Sequence, residues 1–106
     1  MRSIALLFMA ACLTVAFAAE RFKVSFPYPA YVGETQLKQG QCRLTLDGET
    51  AIFEQGRQRI EVPVKVETVE NKYRRTTVRY RVEGDKYTIS EIGLGGTNRK
   101  LVFPSS

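Results

Sequence analysis

From about residue 20 onward, apolar residues recur at every second position, and strong turn dipeptides interrupt them, which is the pattern of half-buried strands. Phe22, Val24 and Phe26 alternate with Arg21, Lys23 and Ser25 and predict a first strand. It must stop at Pro27-Tyr28-Pro29, where two prolines remove ladder donors. The stretch from Tyr31 to Gly40, with Gly33 and Gly40 inside it, reads as a turn-rich connection. Asp47-Gly48 predicts a two-residue type I′ hairpin, with Leu46 opposite Glu49, Leu44 opposite Ala51 and Cys42 opposite Phe53. That register puts Cys42, Leu44, Leu46, Ala51 and Phe53 on one face and Arg43, Thr45 and Thr50 on the other, with Ile52 an apolar exception among the polar residues. After a turn at Gln55-Gly56-Arg57, residues Ile60 to Glu67 alternate as one strand that buries Ile60, Val62, Val64 and Val66. Pro63 marks that strand as an edge strand or a bulge.

A second hairpin is expected at Gly84-Asp85, where glycine at the first central position suits a type II′ turn. Its register places Val82 opposite Tyr87, Tyr80 opposite Ile89 and Val78 opposite Glu91 on a core face. Arg81 opposite Thr88, Arg79 opposite Ser90 and Glu83 opposite Lys86 then form a wet face. Glu91 is the misfit on the inward side, and a bulge or strand end accounts for it. The run Gly93 to Asn98 is expected to be a flexible loop, and Leu101-Val102-Phe103 a short closing strand ended by Pro104. No helical stripe is present. About seven strands at short, regular spacing predict an all-β fold, a small antiparallel sandwich or barrel.

The N-terminus has a different character. Arg2, an uncharged apolar run from Ile4 to Phe17, and Ala16-Phe17-Ala18 as a small-x-small cleavage site together read as a secretory signal peptide over residues 1–18. Residues 19–106 are then a single β domain, exported to the periplasm or secreted, with no transmembrane segment after cleavage, because the apolar run is shorter than the roughly 20 residues of a membrane span. Met9-Ala10-Ala11-Cys12 has the form of a lipobox, but the chain stays apolar after Cys12 instead of entering a polar tether. Cleavage leaves Cys42 as the one cysteine, so the domain must hold together by core packing without a disulfide.

One block spans much of the domain: Phe26, then Tyr31-Val32-Gly33, Leu37, Gly40 and Leu44, with Gly84-Asp85-Lys86-Tyr87 late in the chain. It resembles a group of small secreted bacterial proteins of uncharacterised function, whose usual run is F-x-V-G-x-x-x-L-P-A-G-x-Y-x-V. Lys38 stands here for the proline, Gln39 for the alanine and Cys42 for the tyrosine. The resemblance implies a sandwich-like or barrel-like β fold and supplies no catalytic residues.

Chemistry is sparse. The chain has no histidine, which removes the commonest general base and zinc ligand, and Cys42 lies on an apolar face with no base to deprotonate it. No carboxylate pair converges, so the protein is read as non-enzymatic, without metal or cofactor. Gly93-x-Gly95-Gly96 lacks the spacing and the following helix of a phosphate-binding loop. Charge is more informative. Without Arg2 the chain carries 15 basic and 11 acidic side chains, and from Asn71 to Ser106 the balance is 8 to 3. Lys72, Arg74, Arg75, Arg79, Arg81 and Lys86 form a basic cluster, to which Arg99 and Lys100 are candidate neighbours in the fold, and the first five are the candidate anion-binding residues. Arg75, Arg79 and Arg81 share parity with Thr77, so an unbulged strand would project them as a ladder at about 7 Å per step, and Tyr73 could stack on a ligand or an arginine. Arginine forks suit phosphate, sulfate and carboxylate, and outside the cell the partners in view are an anionic envelope polysaccharide, a lipid headgroup or an acidic protein, not nucleic acid. The alternative is a structural or interaction protein that acts by β-edge pairing or oligomerisation at the valine-rich strand around Pro63, its basic residues only a solvated face.

Overall fold

The structure, a computed structural model, describes residues 19–104, and the expected signal peptide falls outside the described residues. The ten strands are β1 (Glu20–Phe26), β2 (Ala30–Val32), β3 (Thr35–Leu37), β4 (Gly40–Asp47), β5 (Thr50–Gln55), β6 (Gln58–Pro63), β7 (Lys65–Thr68), β8 (Thr77–Glu83), β9 (Lys86–Gly93) and β10 (Arg99–Val102). They form two sheets. The first runs β1-β4-β5-β6, and the second runs β3-β2-β9-β10-β7 with β8 along the other side of β9. The fold is all-β and sandwich-like, with no closed barrel. Pairing is antiparallel throughout except where β2 meets β9 in parallel at Tyr31 and Thr88.

The interior is built from the inward positions of both sheets: Val24, Phe26, Leu44, Leu46 and Phe53 from the first, Leu37, Ile89, Ile92 and Leu101 from the second, all buried. Phe53 and Phe103 meet across the layers with ring centroids 5.8 Å apart. Each such side chain contributes about 1.5–3 kcal/mol when taken from water into the core. Thus packing alone can carry a domain without a disulfide.

Ten strands replace the expected seven for two reasons. Residues 30–37, read as a connection, close into the hairpin β2–β3 around Gly33, whose φ is 62°. The single strand expected over 60–67 is split at Val64: β6 pairs with β5 in the first sheet, β7 with β10 in the second, and the Val64 amide donates to the Glu49 carbonyl at 2.8 Å. Pro63 ends the first ladder because it has no N–H to continue it. The alternation survives the crossing since both sheets bury their inner side, so Ile60, Val62 and Val66 pack against one core. The edge reading of Pro63 holds, as β6 is the last strand of its sheet.

The first long hairpin turns one residue later than expected. Asp47 pairs with Thr50, so Gly48-Glu49 occupy the turn. Gly48 alone has positive φ, 62°, the type II′ pattern in place of I′. Leu46 therefore faces Ala51 and Leu44, not Cys42, faces Phe53. The shift is two residues in the partner strand, which leaves every side chain on its expected face.

In the β8–β9 hairpin the Gly84-Asp85 turn and the pairs Val82–Tyr87, Arg81–Thr88 and Tyr80–Ile89 are as expected, but the register slips at Arg79/Tyr80. Ser90 is the extra residue. Its hydroxyl donates to the Arg79 carbonyl at 3.0 Å, while its own carbonyl accepts from the Phe103 amide at 2.9 Å. Beyond this bulge Val78 faces Ile92 and Arg79 faces Glu91, correcting the expected Val78–Glu91 and Arg79–Ser90 pairs and turning Glu91 outward. The expected division into core and wet faces fails at the hairpin tip. The core cluster reaches Ile89 and Tyr80 but not Val82 or Tyr87, and Val82 is 62% exposed while Thr88 is buried.

Candidate functional site

The connection between β7 and β8, residues 69–76, lies as a strap on the loop between β9 and β10. Backbone hydrogen bonds fasten it: Val69 N to Asn98 O at 2.7 Å, Tyr73 N to Thr97 O at 2.8 Å, and Gly96 N to Tyr73 O at 2.8 Å. The Gly95 amide donates to Thr76 Oγ1 at 3.0 Å. The loop is closed on itself by Thr97, whose hydroxyl donates to the Leu94 carbonyl at 2.9 Å and accepts from the Arg99 amide at 3.1 Å. This corrects the expectation of a flexible loop. Two glycines here are contact residues: a Cβ on Gly93, the last residue of β9, would run into the Tyr73 ring, and one on Gly95 in the loop would lie 2.6 Å from the Thr76 backbone nitrogen. Leu94 between them is fully buried.

The strap determines where the basic residues stand. Lys72, Arg74 and Arg75 precede the first residue of β8, so they do not continue the strand ladder. Arg79 and Arg81 alone alternate along β8, on the face of Thr77. The expected ladder of Arg75, Arg79 and Arg81 is therefore corrected to a pair on a strand beside three cations on the strap. Arg81 is drawn aside by Glu83, Nε to Oε1 at 3.4 Å. Among the described residues, Lys72, Arg74, Arg75 and Arg79 make no ion pair.

Of these cations only Arg79 lines an open cavity of about 340 Å³, whose walls also include Tyr73, Thr77, Glu91 and Lys100. Tyr73 reaches it as the ring laid over Gly93, not as a stack on an arginine. Lys100 is held between two carboxylates, 3.3 Å from Glu91 and 3.9 Å from Glu67. Within the cavity lining Lys100 is therefore offset by Glu91, and Arg79 is the charge left without a partner among the described residues.

Two features escaped sequence reasoning. Tyr28, in the connection after β1, stacks on Tyr80 and Tyr87 at 5.1 and 4.1 Å, forming an aromatic cluster under the exposed Val82. The Tyr80 hydroxyl is buried without a partner, and burial pushes its pKa up to about 12, with Tyr28 adding to the shift. Gln55 clamps the β3–β4 connection, its side chain bonding both the amide and the carbonyl of Lys38 at 2.8 Å. Cys42 is buried on the core face as expected of a small hydrophobe, and burial raises its thiol to about 11. Among the described residues no group of histidine, cysteine or carboxylate side chains could hold a metal, and no helix is long and apolar enough to cross a membrane.

Compared with protein-family models, curated proteins and solved structures, the chain finds no match in any of the three.

Proposed function

We propose that this sandwich is an exported, non-enzymatic binding module that holds an anionic ligand through Arg79 and the strap residues Lys72, Arg74 and Arg75, with Arg81 at the margin. The ligand class is an acidic envelope polysaccharide, a lipid headgroup or an acidic partner protein. One observation carries the reading: a strap fixed by backbone hydrogen bonds holds three exposed cations that, like the exposed Arg79 on the strand it leads into, are in no ion pair among the described residues. Cations on a fixed frame lose less conformational freedom on binding than cations on a mobile tail.

The test is retention of the purified protein on anionic and neutral surfaces across a salt series, beside a variant carrying Arg74→Gln, Arg75→Gln and Arg79→Gln. Retention that falls steeply with salt and is lost in the variant is the expected result, because exposed charges are screened over about 8 Å at physiological ionic strength. Equal elution of both proteins at low salt would refute it.

A second reading is supported by one observation. β8 pairs only with β9 and leaves a seven-residue edge whose Val82 is exposed. The reading then centres on β8, whose apolar Val82 is exposed, whereas Ile60 and Val62 of β6, the edge that carries Pro63, pack against the core. Salt-insensitive self-association abolished by Val82→Lys would favour this reading over anion binding.

A further inference from the structure

The outer face of the β1-β4-β5-β6 sheet carries a cationic corner hidden from any count along the chain. Lys23 on β1 lies directly opposite Arg43 on β4, and Arg21 follows two residues along β1 on the same face. Like charges opposed in this way, with Cβ atoms about 5 Å apart, destabilise a ladder. Compensation is partial. Glu20 turns to Arg99 at 2.8 Å and Glu61 pairs with Arg59 at 3.4 Å, while Glu54, directly opposite Arg43 on β5, makes no ion pair with it among the described residues, and Asp47 shares the face diagonally from Arg21. The other near neighbours, Ser25, Gln41 and Thr45, are neutral hydrogen-bonding groups. A cavity of about 200 Å³ is lined by Lys23, Gln41, Cys42 and Arg43.

We propose that Lys23 and Arg43, with Arg21 beside them and Gln41 as a neutral donor, form a second anion site that takes a phosphate group. An arginine fork, an ammonium and an amide offer donors for three or more oxygens, which suits a phosphoryl group better than a two-oxygen carboxylate. A bound dianion also removes the repulsion between the opposed cations, so binding and folding stability are coupled. The site is on the opposite sheet from the strap and stands independently of the function proposed there.

The experiment is an amide-resolved NMR titration of the purified protein with sodium phosphate, with chloride keeping ionic strength constant. Saturable shifts at Lys23, Gln41 and Arg43 are expected, weakened about tenfold or more by Lys23→Gln with Arg43→Gln, as for loss of a charged hydrogen bond, and unchanged in the Arg74→Gln, Arg75→Gln, Arg79→Gln variant. Phosphate should raise the melting temperature of the parent protein and not of Lys23→Gln. Shifts that do not saturate, shifts that survive the double substitution, or an equal rise in melting temperature for both proteins would overturn the proposal. Vesicles separate the sources, with the Arg74→Gln, Arg75→Gln, Arg79→Gln variant as background so that the strap does not contribute: sedimentation with phosphatidylglycerol but not phosphatidylcholine, lost when Lys23→Gln and Arg43→Gln are added, assigns a lipid headgroup. Saturable phosphate binding without sedimentation assigns the free ion.

Discussion

Replacing Gly95 by alanine tests whether the strap is fixed by close packing. The new Cβ would stand 2.6 Å from Thr76 N, 2.8 Å from the Arg75 carbonyl carbon and 3.0 Å from Arg75 Cα, and these are backbone atoms that cannot rotate away. The strap must lift, which breaks the bond from Gly95 N to Thr76 Oγ1 and strains those from Tyr73 N to Thr97 O and from Gly96 N to Tyr73 O. At about 1 kcal/mol for each bond lost, the cost runs from about 1 kcal/mol for the broken bond to about 3 kcal/mol if the two strained ones open as well, to which the displaced packing adds. Gly96→Ala is the control. Its Cβ would meet nothing within 4 Å, but its φ of +80° is left-handed, so the cost is backbone strain of roughly 1–2 kcal/mol. The assay is urea denaturation followed by tyrosine fluorescence, which five tyrosines and no tryptophan make a clean signal. A lower midpoint at unchanged slope is expected for both variants, with Gly95→Ala the weaker protein, and each kcal/mol corresponds to about 4–8 °C in melting temperature at this size. A Gly95→Ala protein as stable as the parent, or more stable than Gly96→Ala, would refute the packed-strap argument.

Two further outcomes follow from buried groups. Burial holds the Cys42 thiol at about 11 against 9.0 for a free thiol, so its contribution to stability is complete below pH 9 and is lost as pH rises through about 11. Parallel pH-dependent unfolding curves should show a shallower decline in that window for Cys42→Ala than for the parent, and equal slopes would contradict the burial argument. Tyr80→Phe removes a buried hydroxyl that has no hydrogen-bond partner while keeping the ring on Tyr28, so it should be neutral or stabilising by up to about 1 kcal/mol. A clear fall in melting temperature for Tyr80→Phe would reveal a partner for that hydroxyl.

What could be read from the chain was what local chemistry decides. The period-two alternation of β1 and β4, the core positions Ala51 and Phe53 of β5 and the Gly84-Asp85 turn depend on neighbouring residues, and each appears where expected. The face assignments survived an error in the Gly48 turn because a two-residue slip preserves parity. Ser90 was misassigned for the opposite reason: a bulge is set by what lies across the sheet, here the Arg79 carbonyl on one side and the Phe103 amide on the other. The glycine-rich run was misread because composition cannot distinguish a glycine that frees the chain from one that admits a neighbour. The neighbours of Gly93 and Gly95 are Tyr73 and Thr76, about 20 residues upstream, and nothing local announces them.

The same limit shapes the electrostatics. Counted along the chain, residues 19–70 carry 7 basic and 8 acidic side chains and look inert. Antiparallel pairing folds Lys23 against Arg43 and sends Glu20 to Arg99, so this nominally neutral half presents a cationic corner on its outer sheet. In the other half, where the count is strongly basic, Glu91 and Glu67 hold Lys100 and Glu83 holds Arg81, and the cations left without an ion pair among the described residues are Arg79, those of the strap and Lys86, which lies over the Tyr31 ring at 5.1 Å. Register therefore decides which charges meet and which stay unpaired. It leaves cations without ion pairs among the described residues on both sheets, which a count along the chain would have assigned to one half only.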